Sequence, residues 1–224
     1  MLNYEVDPGL LEGQIPKGTE LDSFLGKTYL SLVGFRFFGT KLFGSVKVPF
    51  HSAFDEVNLR FYVRHKHGNE NRRGVVFIGE IVPKQAVSTL ARLVYGENYR
   101  CLPMKHYIDI QSVKKTVTYQ WKIKNKWCNL TAQGTSISQL PREGSLGQFI
   151  TEHYWGYSRQ QDGASIEYHV SHVPWKVSIG TFAEFEGDAT ELYGVEIGRI
   201  LLRPPCSAFI ADGSPVTVFR GSKI

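Results

Sequence analysis

The sequence predicts a mainly β (α+β) fold with two or three helices, and three observations lead to this prediction. Aromatic residues make up 13% of the chain and glycines number 22, and these residue types favour strands and turns respectively. Most apolar residues alternate with polar ones at the period of two that is typical of half-buried strands. Turn residues punctuate the chain regularly, without repeats or a linker. We therefore predict a single domain, residues 1–224.

The N-terminal quarter is predicted as a loop followed by two strands. Residues 8–18 are rich in proline and glycine, so we interpret this opening segment as a loop with a short turn of helix. Residues 28–38 and 42–48 have the composition of strands, and Gly39 separates them.

The next two strands carry the most information about function. In residues 54–64 the odd-numbered positions from Val57 to Val63 are apolar, and successive side chains of a strand point to opposite faces. The other face of this strand is polar and carries Glu56, Asn58, Arg60, Tyr62 and Arg64. Residues 75–82 are apolar except for Glu80, which predicts a strand buried on both faces. Residues 65–73 are interpreted as the polar loop between them.

These two strands predict a polar pocket for a small-molecule ligand. The residues expected to bind the ligand are Glu56, Asn58, Arg60 and Tyr62. We expect Glu80 within salt-bridge distance of Arg60 or Arg64, because an unpaired buried carboxylate would cost several kcal/mol. The alternative is a solvated outer strand beside a core strand, with Glu80 in a purely structural ion pair.

The remaining elements are predicted from periodicity and capping residues. A helix is expected from Pro83, which is favoured at a first helical position, to Gly96, which can end it. A hairpin follows at residues 112–132, and a second helix is expected after Ser145 as its N-cap. Later strands are predicted at residues 165–173, 176–185 and 216–220.

Charge raises nucleic acid as a partner, but the pattern argues against it. The net charge is +5 and the isoelectric point is near 9.0. In the predicted hairpin, Lys122, Lys124 and Lys126 share one face, whereas the aromatic residues Tyr119, Trp121 and Trp127 share the other. A stacking groove needs aromatic residues exposed among the cations. We therefore predict no nucleic-acid partner.

Composition also bears on location. No run approaches the roughly twenty apolar residues of a membrane span, so no membrane partner is predicted. The three cysteines, Cys101, Cys128 and Cys206, are widely spaced and odd in number. We expect free thiols and a cytoplasmic protein.

The common catalytic and metal motifs are missing from the sequence. It contains no phosphate-binding loop, nucleophile elbow, CxxC or HExxH motif. His153, His169 and His172 are the nearest metal candidates, but the last two have opposite parity on a predicted strand. We expect ordinary hydrogen bonds for these histidines, and neither a metal nor an organic cofactor.

Six segments carry a resemblance to a known family. They are YEVDP, FDEVNLRFYV, RRGVVFIGEIVP, YGENY, TEHYWGY and ADGSPV, which begin at residues 4, 54, 72, 95, 151 and 211. Together they resemble the YqjF-like family of uncharacterised bacterial proteins. This resemblance implies a fold of the acetoacetate decarboxylase-like type, a closed or half-closed β-barrel around a small pocket.

The resemblance also implies a candidate chemistry. In acetoacetate decarboxylases a strand with a glutamate leads to a proline and two lysines, the first of which forms a Schiff base. Here Glu80, Pro83 and Lys84 are the counterparts of this pattern, but the acid lies closer to the proline, and Gln85 stands where the second lysine is expected. Lys84, with Glu80 beside it, is thus the candidate catalytic amine. The pair Lys114–Lys115 lacks a preceding acid and proline, and we interpret it as surface.

Three function classes remain open from the sequence. The favoured one is a pocket that binds a small carboxylate or carbonyl compound without covalent chemistry. The alternatives are a Schiff-base enzyme that acts on a small keto acid, and a structural or partner-binding protein.

Overall fold

The computed structural model describes residues 1–38, 41–42, 46–47, 53–85, 88–89, 96–160 and 162–224. Its helices are Leu146–Thr151 (α1), Thr190–Tyr193 (α2) and Val195–Leu201 (α3). Its strands are Leu2–Val6 (β1), Glu20–Leu21 (β2), Thr28–Phe38 (β3), Lys41–Leu42 (β4), Val46–Lys47 (β5), Ala53–His67 (β6), Glu70–Val82 (β7), Tyr99–Cys101 (β8), Met104–Ile110 (β9), Lys114–Ile123 (β10), Lys126–Thr135 (β11), Trp155–Arg159 (β12), Ser165–Ser171 (β13), Val177–Glu186 (β14), Ser207–Ala211 (β15), Thr217–Val218 (β16) and Ser222–Lys223 (β17).

The strands form one continuous sheet that is open or half-closed. Hydrogen-bonded ladders connect them in the order β9-β10-β11-β14-β15-β1-β3-β6-β7-β12-β13-β16-β4-β5. The short strands β2, β8 and β17 pair beside β6, β7 and β13. In the described part of the chain no ladder joins β9 to the other end of this order, as closure would require. The closed form of the expected barrel is therefore wrong.

The main hydrophobic core contains the apolar face of β6. Val57, Leu59, Phe61 and Val63 are all fully buried there, which confirms the predicted alternation. They pack with β1, β3 and the hairpin β10–β11, whose Trp121 is the largest fully buried side chain. The opposite, polar face of β6 is not part of this core.

Several predicted elements are confirmed by the structure. Residues 28–38 form β3 as expected, and β10 and β11 form the expected hairpin. Ser145 caps α1, because its Oγ accepts a hydrogen bond from the backbone nitrogen of Gln148 at 3.3 Å. Strands β13, β14 and β16 lie within the three late segments predicted as strands, apart from one further residue of β14.

Other predictions need correction. The expected loop 65–73 is largely strand, because β6 and β7 continue to a tight turn at Gly68, whose φ is +59°. Within the hairpin, Trp127 is half-exposed on the lysine face, because cross-strand partners share a face and Trp127 pairs with Lys122.

The N-terminal segment also differs from its prediction. Residues 2–6 form β1, which pairs with β3 on one side and with β15 on the other. Two 3-10 turns, Pro8–Leu10 and Glu12–Gln14, follow it, in agreement with the predicted loop with a turn.

Two predicted elements fall mainly on residues that the structure does not describe. Of the helix expected between Pro83 and Gly96, residues 86–87 and 90–95 lie outside the described residues, while Gln85, Ser88 and Thr89 are helical. Of the strand expected at 42–48, residues 43–45 and 48 lie outside them. Within the described ranges, no helix has the length and apolarity needed to cross a membrane.

Candidate ligand site

The sheet surrounds a cavity of about 850 Å³. Strands β3, β6 and β7 contribute one wall, and β10, β11 and β15 contribute residues to another. The walls are rich in aromatic side chains, among them Phe35, Phe37, Phe77, Tyr119, Trp155 and Phe209. Cavities of this size and character are typical of small-molecule sites.

The polar face of β6 supplies polar groups to this cavity. Glu56, Asn58 and Arg60 line it, and Glu80 joins them from β7. Tyr62 lies further along the same strand but is not a lining residue. Its hydroxyl lies 2.6 Å from Ser31 Oγ, and its ring packs beneath α1.

A β-bulge in β7 makes this arrangement possible. Leu59 pairs with Gly79 and Arg60 pairs with Phe77, so Ile78 is an extra residue between them. An extra residue reverses which side chains of a strand face a given side. As a result both Glu80 and Phe77, which are three residues apart, line the cavity.

Three buried glutamates meet at this end of the cavity, and we call Glu56, Glu80 and Glu97 the carboxyl cluster. Their exposed fractions are 2%, 2% and 8%. Glu97 precedes β8, which runs parallel to β7 and is anchored by the hydrogen bond from the Glu80 nitrogen to the Asn98 carbonyl at 3.0 Å. The sequence reasoning missed Glu97, although it lies in the segment YGENY that carries part of the family resemblance.

Tyrosines and an amide donate hydrogen bonds to the cluster. Asn58 Nδ2 donates to Glu56 Oε1 at 3.2 Å, and Tyr99 Oη donates to Glu56 Oε2 at 3.3 Å. Tyr168 Oη donates to Glu97 Oε1. Two buried acceptors, Asn58 Oδ1 and Glu80 Oε2, have no hydrogen-bond partner among the described residues.

Burial keeps these carboxyl groups protonated to unusually high pH. Desolvation raises the pKa of Glu56 to about 8 and that of Glu97 to about 7. The pKa of Glu80 is raised well above its usual value, first by burial and then by repulsion from the other two carboxylates. At neutral pH the cluster therefore holds protons.

The expected ion pair of Glu80 is not formed. Arg64 pairs instead with the exposed Glu20, with Nε and Oε1 2.8 Å apart. Arg60 donates from Nη2 to the Ile150 carbonyl at 3.2 Å. The prediction was wrong because a buried carboxyl group that keeps its proton avoids the cost of an uncompensated charge without a cation.

Arg60 and His153 form a second polar region of the cavity. Both line it, and the Arg60 charge acts on His153. Neither ring nitrogen of His153 makes a hydrogen bond within the described structure, and Nε2 lies 3.9 Å from Asp22 Oδ2. Burial lowers the pKa of His153 to about 4 despite this neighbouring carboxylate, so the ring is neutral at pH 7. The expected ordinary hydrogen bonds are thus absent for this histidine.

The lysines considered from the sequence lie in different surroundings. Lys84 does not line the cavity, and its Nζ donates to the Ala53 carbonyl at 3.3 Å. Lys114 is exposed as predicted, but Lys115 is buried and lines the cavity, because neighbours on a strand face opposite sides. Lys115 Nζ contacts Ser138 Oγ at 2.6 Å and Asp212 Oδ1 at 3.2 Å.

Other candidate groups have ordinary surroundings. Among the described residues, no group of three or more His, Cys, Asp or Glu side chains is arranged to hold a metal ion. His169 stacks on Phe219 and His172 stacks on Trp175, with ring centroids 5.3 and 4.2 Å apart. The three cysteines are free thiols, as the sequence predicted.

Comparison with known proteins gives one family and one fold. The sequence profile of the family DUF2071, described as an uncharacterized conserved protein, matches residues 1–215. The uncharacterized protein YqjF of Bacillus subtilis (strain 168) is 25% identical over 197 residues, which cover 83% of this chain and 77% of that protein.

Solved structures of the acetoacetate decarboxylase-like type share the fold. Acetoacetate decarboxylase from Legionella pneumophila is 14% identical with a TM-score of 0.61, over 100% of this chain and 82% of that one. The enduracididine biosynthesis enzyme MppR complexed with pyruvate is 11% identical with a TM-score of 0.62, over 99% of this chain and 86% of that one. An acetoacetate decarboxylase-like enzyme from Sphingomonas wittichii RW1 is 12% identical with a TM-score of 0.59, over 100% of this chain and 89% of that one.

Proposed function

The chain belongs to the DUF2071 family, and on that premise we propose that it binds a small organic acid or carbonyl compound in its cavity without covalent chemistry. Arg60 and His153 are the groups that receive the oxygen atoms of this ligand. The carboxyl cluster and the aromatic walls complete the site.

The observation that carries this proposal is the set of unused donors beside Arg60. Arg60 Nε is buried without a hydrogen-bond partner within the described structure, while Nη2 is anchored to the Ile150 carbonyl. The neutral ring of His153 adds one N–H donor that is also unused. A guanidinium binds a carboxylate through two parallel hydrogen bonds and a carbonyl through one, so either ligand would satisfy these groups.

The fold neighbours support the same ligand class. One of the enzymes with this fold has been solved with pyruvate, and others are acetoacetate decarboxylases. The cavity of about 850 Å³ also favours a ligand over the structural or partner-binding alternative, for which a filled interior would be expected.

Binding of small acids to an Arg60 variant tests the proposal. We expect pyruvate or acetoacetate to raise the melting temperature of the native protein, because a ligand that binds only the folded state stabilises it. Arg60→Gln should weaken binding roughly tenfold or more, since a charge-assisted hydrogen bond is lost. Arg64→Gln, which breaks only the exposed pair with Glu20, is the matched control and should bind like the native protein. Equal binding by both variants would refute the role of Arg60.

A Schiff-base enzyme is the second candidate, favoured by the burial of Lys115 in the cavity wall. An amine must be neutral to attack a carbonyl, whereas the contact with Asp212 stabilises an ammonium group. Borohydride reduction with acetoacetate, followed by peptide mapping, separates the candidates. We expect no lysine adduct. An adduct on Lys115 that disappears in Lys115→Met would replace the non-covalent proposal, and an adduct on Lys84 would restore the candidate that the family pattern implies.

A further inference from the structure

At the end of the cavity formed by the carboxyl cluster, two buried polar atoms have no hydrogen-bond partner among the described residues. The donors around it are already committed, since Asn58 Nδ2 and Tyr99 Oη donate to Glu56, Tyr168 Oη donates to Glu97, and Glu80 and Glu97 are hydrogen-bonded to each other. Asn58 Oδ1 and Glu80 Oε2 remain buried without a partner within the described residues. Buried polar atoms in folded proteins are nearly always paired, so these two atoms are expected to pair with a donor of the ligand, in the case of Glu80 once its carboxyl group has lost its proton.

The described residues also leave this end of the cavity without a paired cation. None of the ion pairs among the described residues includes Glu56, Glu80 or Glu97. Arg60 acts on Glu56 only from a distance, and its Nη2 donates to Ile150 instead. Three carboxyl groups in a region of low dielectric constant would interact strongly with a cation that carries several N–H donors.

From these observations we infer that the ligand carries a cationic nitrogen group, an ammonium, amidinium or guanidinium, which Glu56, Asn58, Glu80 and Glu97 bind. This inference rests on the proposed function, because the acid or carbonyl end of the same ligand is assigned to Arg60 and His153. The two together define the ligand class as an amino or guanidino derivative of a small organic acid. Such a ligand places opposite charges at the two polar regions of one cavity.

Proton release distinguishes a bound cation from a bound neutral donor. Among the described residues, the titratable or charged groups that face the cluster are Glu56, Arg60, Glu80, Glu97, Tyr99, Tyr168 and Tyr193. The tyrosines among them with a shifted pKa are shifted upwards, so they stay protonated near pH 7. A cation favours the ionised form of nearby carboxyl groups, which then lose protons as the ligand binds. A neutral ligand would leave the number of bound protons almost unchanged.

Calorimetry with four matched compounds tests the inference. The probes are 5-aminopentanoate, pentanoate, pentylamine and 5-hydroxypentanoate, titrated at pH 7 in two buffers of different ionisation enthalpy. We expect 5-aminopentanoate to bind about tenfold or more tightly than pentanoate or the hydroxy acid. Its binding should release protons, and the binding of pentanoate should not.

Variants of the cluster make the test specific. Glu80→Gln should remove most of the preference for 5-aminopentanoate, and Glu97→Gln is the second variant if the first does not fold. Glu196→Gln, on the exposed side of α3, is the matched control and should keep the preference. Retention of the full preference in whichever of these two variants folds would overturn the inference.

The outcomes separate this inference from the proposed function. Equal affinities for pentanoate and 5-aminopentanoate would overturn the cationic group and leave the acid site standing. Equal affinities for the amino and hydroxy acids would show that the cluster needs a neutral donor, and would also overturn it. Binding of pentylamine without binding of pentanoate would support the cationic group and refute the acid site. Binding of none of the four would overturn both.

Discussion

Asn58 and Glu80 are partners across the β6–β7 ladder, and each has one buried oxygen without a hydrogen-bond partner in the part of the chain that the structure describes. One further pair, Leu59 and Gly79, separates them from the bulge at Ile78. Beyond the bulge, β7 presents Phe77 to the cavity and β6 presents Arg60. The bulge therefore separates an acidic region of the cavity from a basic one along the same pair of strands.

The carboxyl cluster makes the stability of the protein depend on pH. The pKa values of Glu56 and Glu97 rise from 4.5 to about 8 and about 7 on folding, so the folded state binds more protons than the unfolded state between these limits. Stability from these groups is fully present below about pH 4.5 and is lost as pH rises through 7 to 8.

We expect the melting temperature to fall by several degrees between pH 6 and 9, since 1 kcal/mol corresponds to about 2–4 °C in a chain of this size. Differential scanning calorimetry measures this slope. Glu80→Gln should reduce it, because one titrating group and its repulsion are removed. A slope that is unchanged in Glu80→Gln, or that rises with pH, would contradict the raised pKa values.

His153 gives a pH dependence of the opposite sign. Its pKa falls from 6.5 in the unfolded chain to about 4 in the folded protein, so the unfolded state binds more protons between these values. The stability that this residue contributes is present above pH 6.5 and is lost as pH falls through 4. His153→Gln should lessen the loss of stability in acid. NMR titration of the imidazole carbons checks the pKa directly, and an ordinary value near 6.5 would refute the prediction.

Gly156 controls the position of Tyr168. The two residues are partners in the β12–β13 ladder, and the Tyr168 ring lies directly over the glycine, where a Cβ would collide with it. Gly156→Ala should therefore destabilise the fold by about 1–3 kcal/mol. It should also displace the Tyr168 hydroxyl from Glu97. Gly13→Ala, where an added Cβ meets nothing within 4 Å, is the control and should leave the melting temperature nearly unchanged.

Arg72 forms an ion pair that should matter for stability. Its Nη1 lies 2.5 Å from Oε1 of Glu167, which is 4% exposed, and its guanidinium stacks on Trp155 at 4.3 Å. Arg72→Met should cost about 3 kcal/mol or more, because Glu167 would remain buried without its cation. Arg64→Met breaks the exposed pair with Glu20 and should cost less than about 1 kcal/mol. Urea denaturation of both variants makes the comparison, and similar losses would refute it.

The features that could be predicted from sequence depend on local periodicity. The alternation in β6 fixes which side chains enter the core, and it also placed Glu56, Asn58 and Arg60 on the cavity face. The cap at Ser145 follows from four residues of sequence. Both signals lie within a few positions of the chain and need no knowledge of distant partners.

The features that could not be predicted depend on pairing between distant segments. Glu97 lies between the end of the predicted helix and β8, and the parallel ladder between β7 and β8 brings it to Glu80. Lys115 has the sequence environment of a surface residue, but the wall of the cavity covers it. The bulge at Ile78 lies in an apolar run that has no alternation of apolar and polar residues. The sequence therefore did not predict which residues of β7 change face.

The position of β1 has a consequence for the kinetics of folding. This strand lies between β3 and β15 in the sheet, so Leu2 is the ladder partner of both Leu32 and Ala208. Pairing with β3 closes a short loop, whereas pairing with β15 closes a loop of about 200 residues, which is entropically more expensive. On the ribosome, β1 can dock on β3 early and must then wait, with one edge unpaired, until β15 has been synthesised. The pairing between β1 and β15 is thus expected to be among the last contacts to form. Until then, an incompletely synthesised chain exposes this edge of β1 to other molecules.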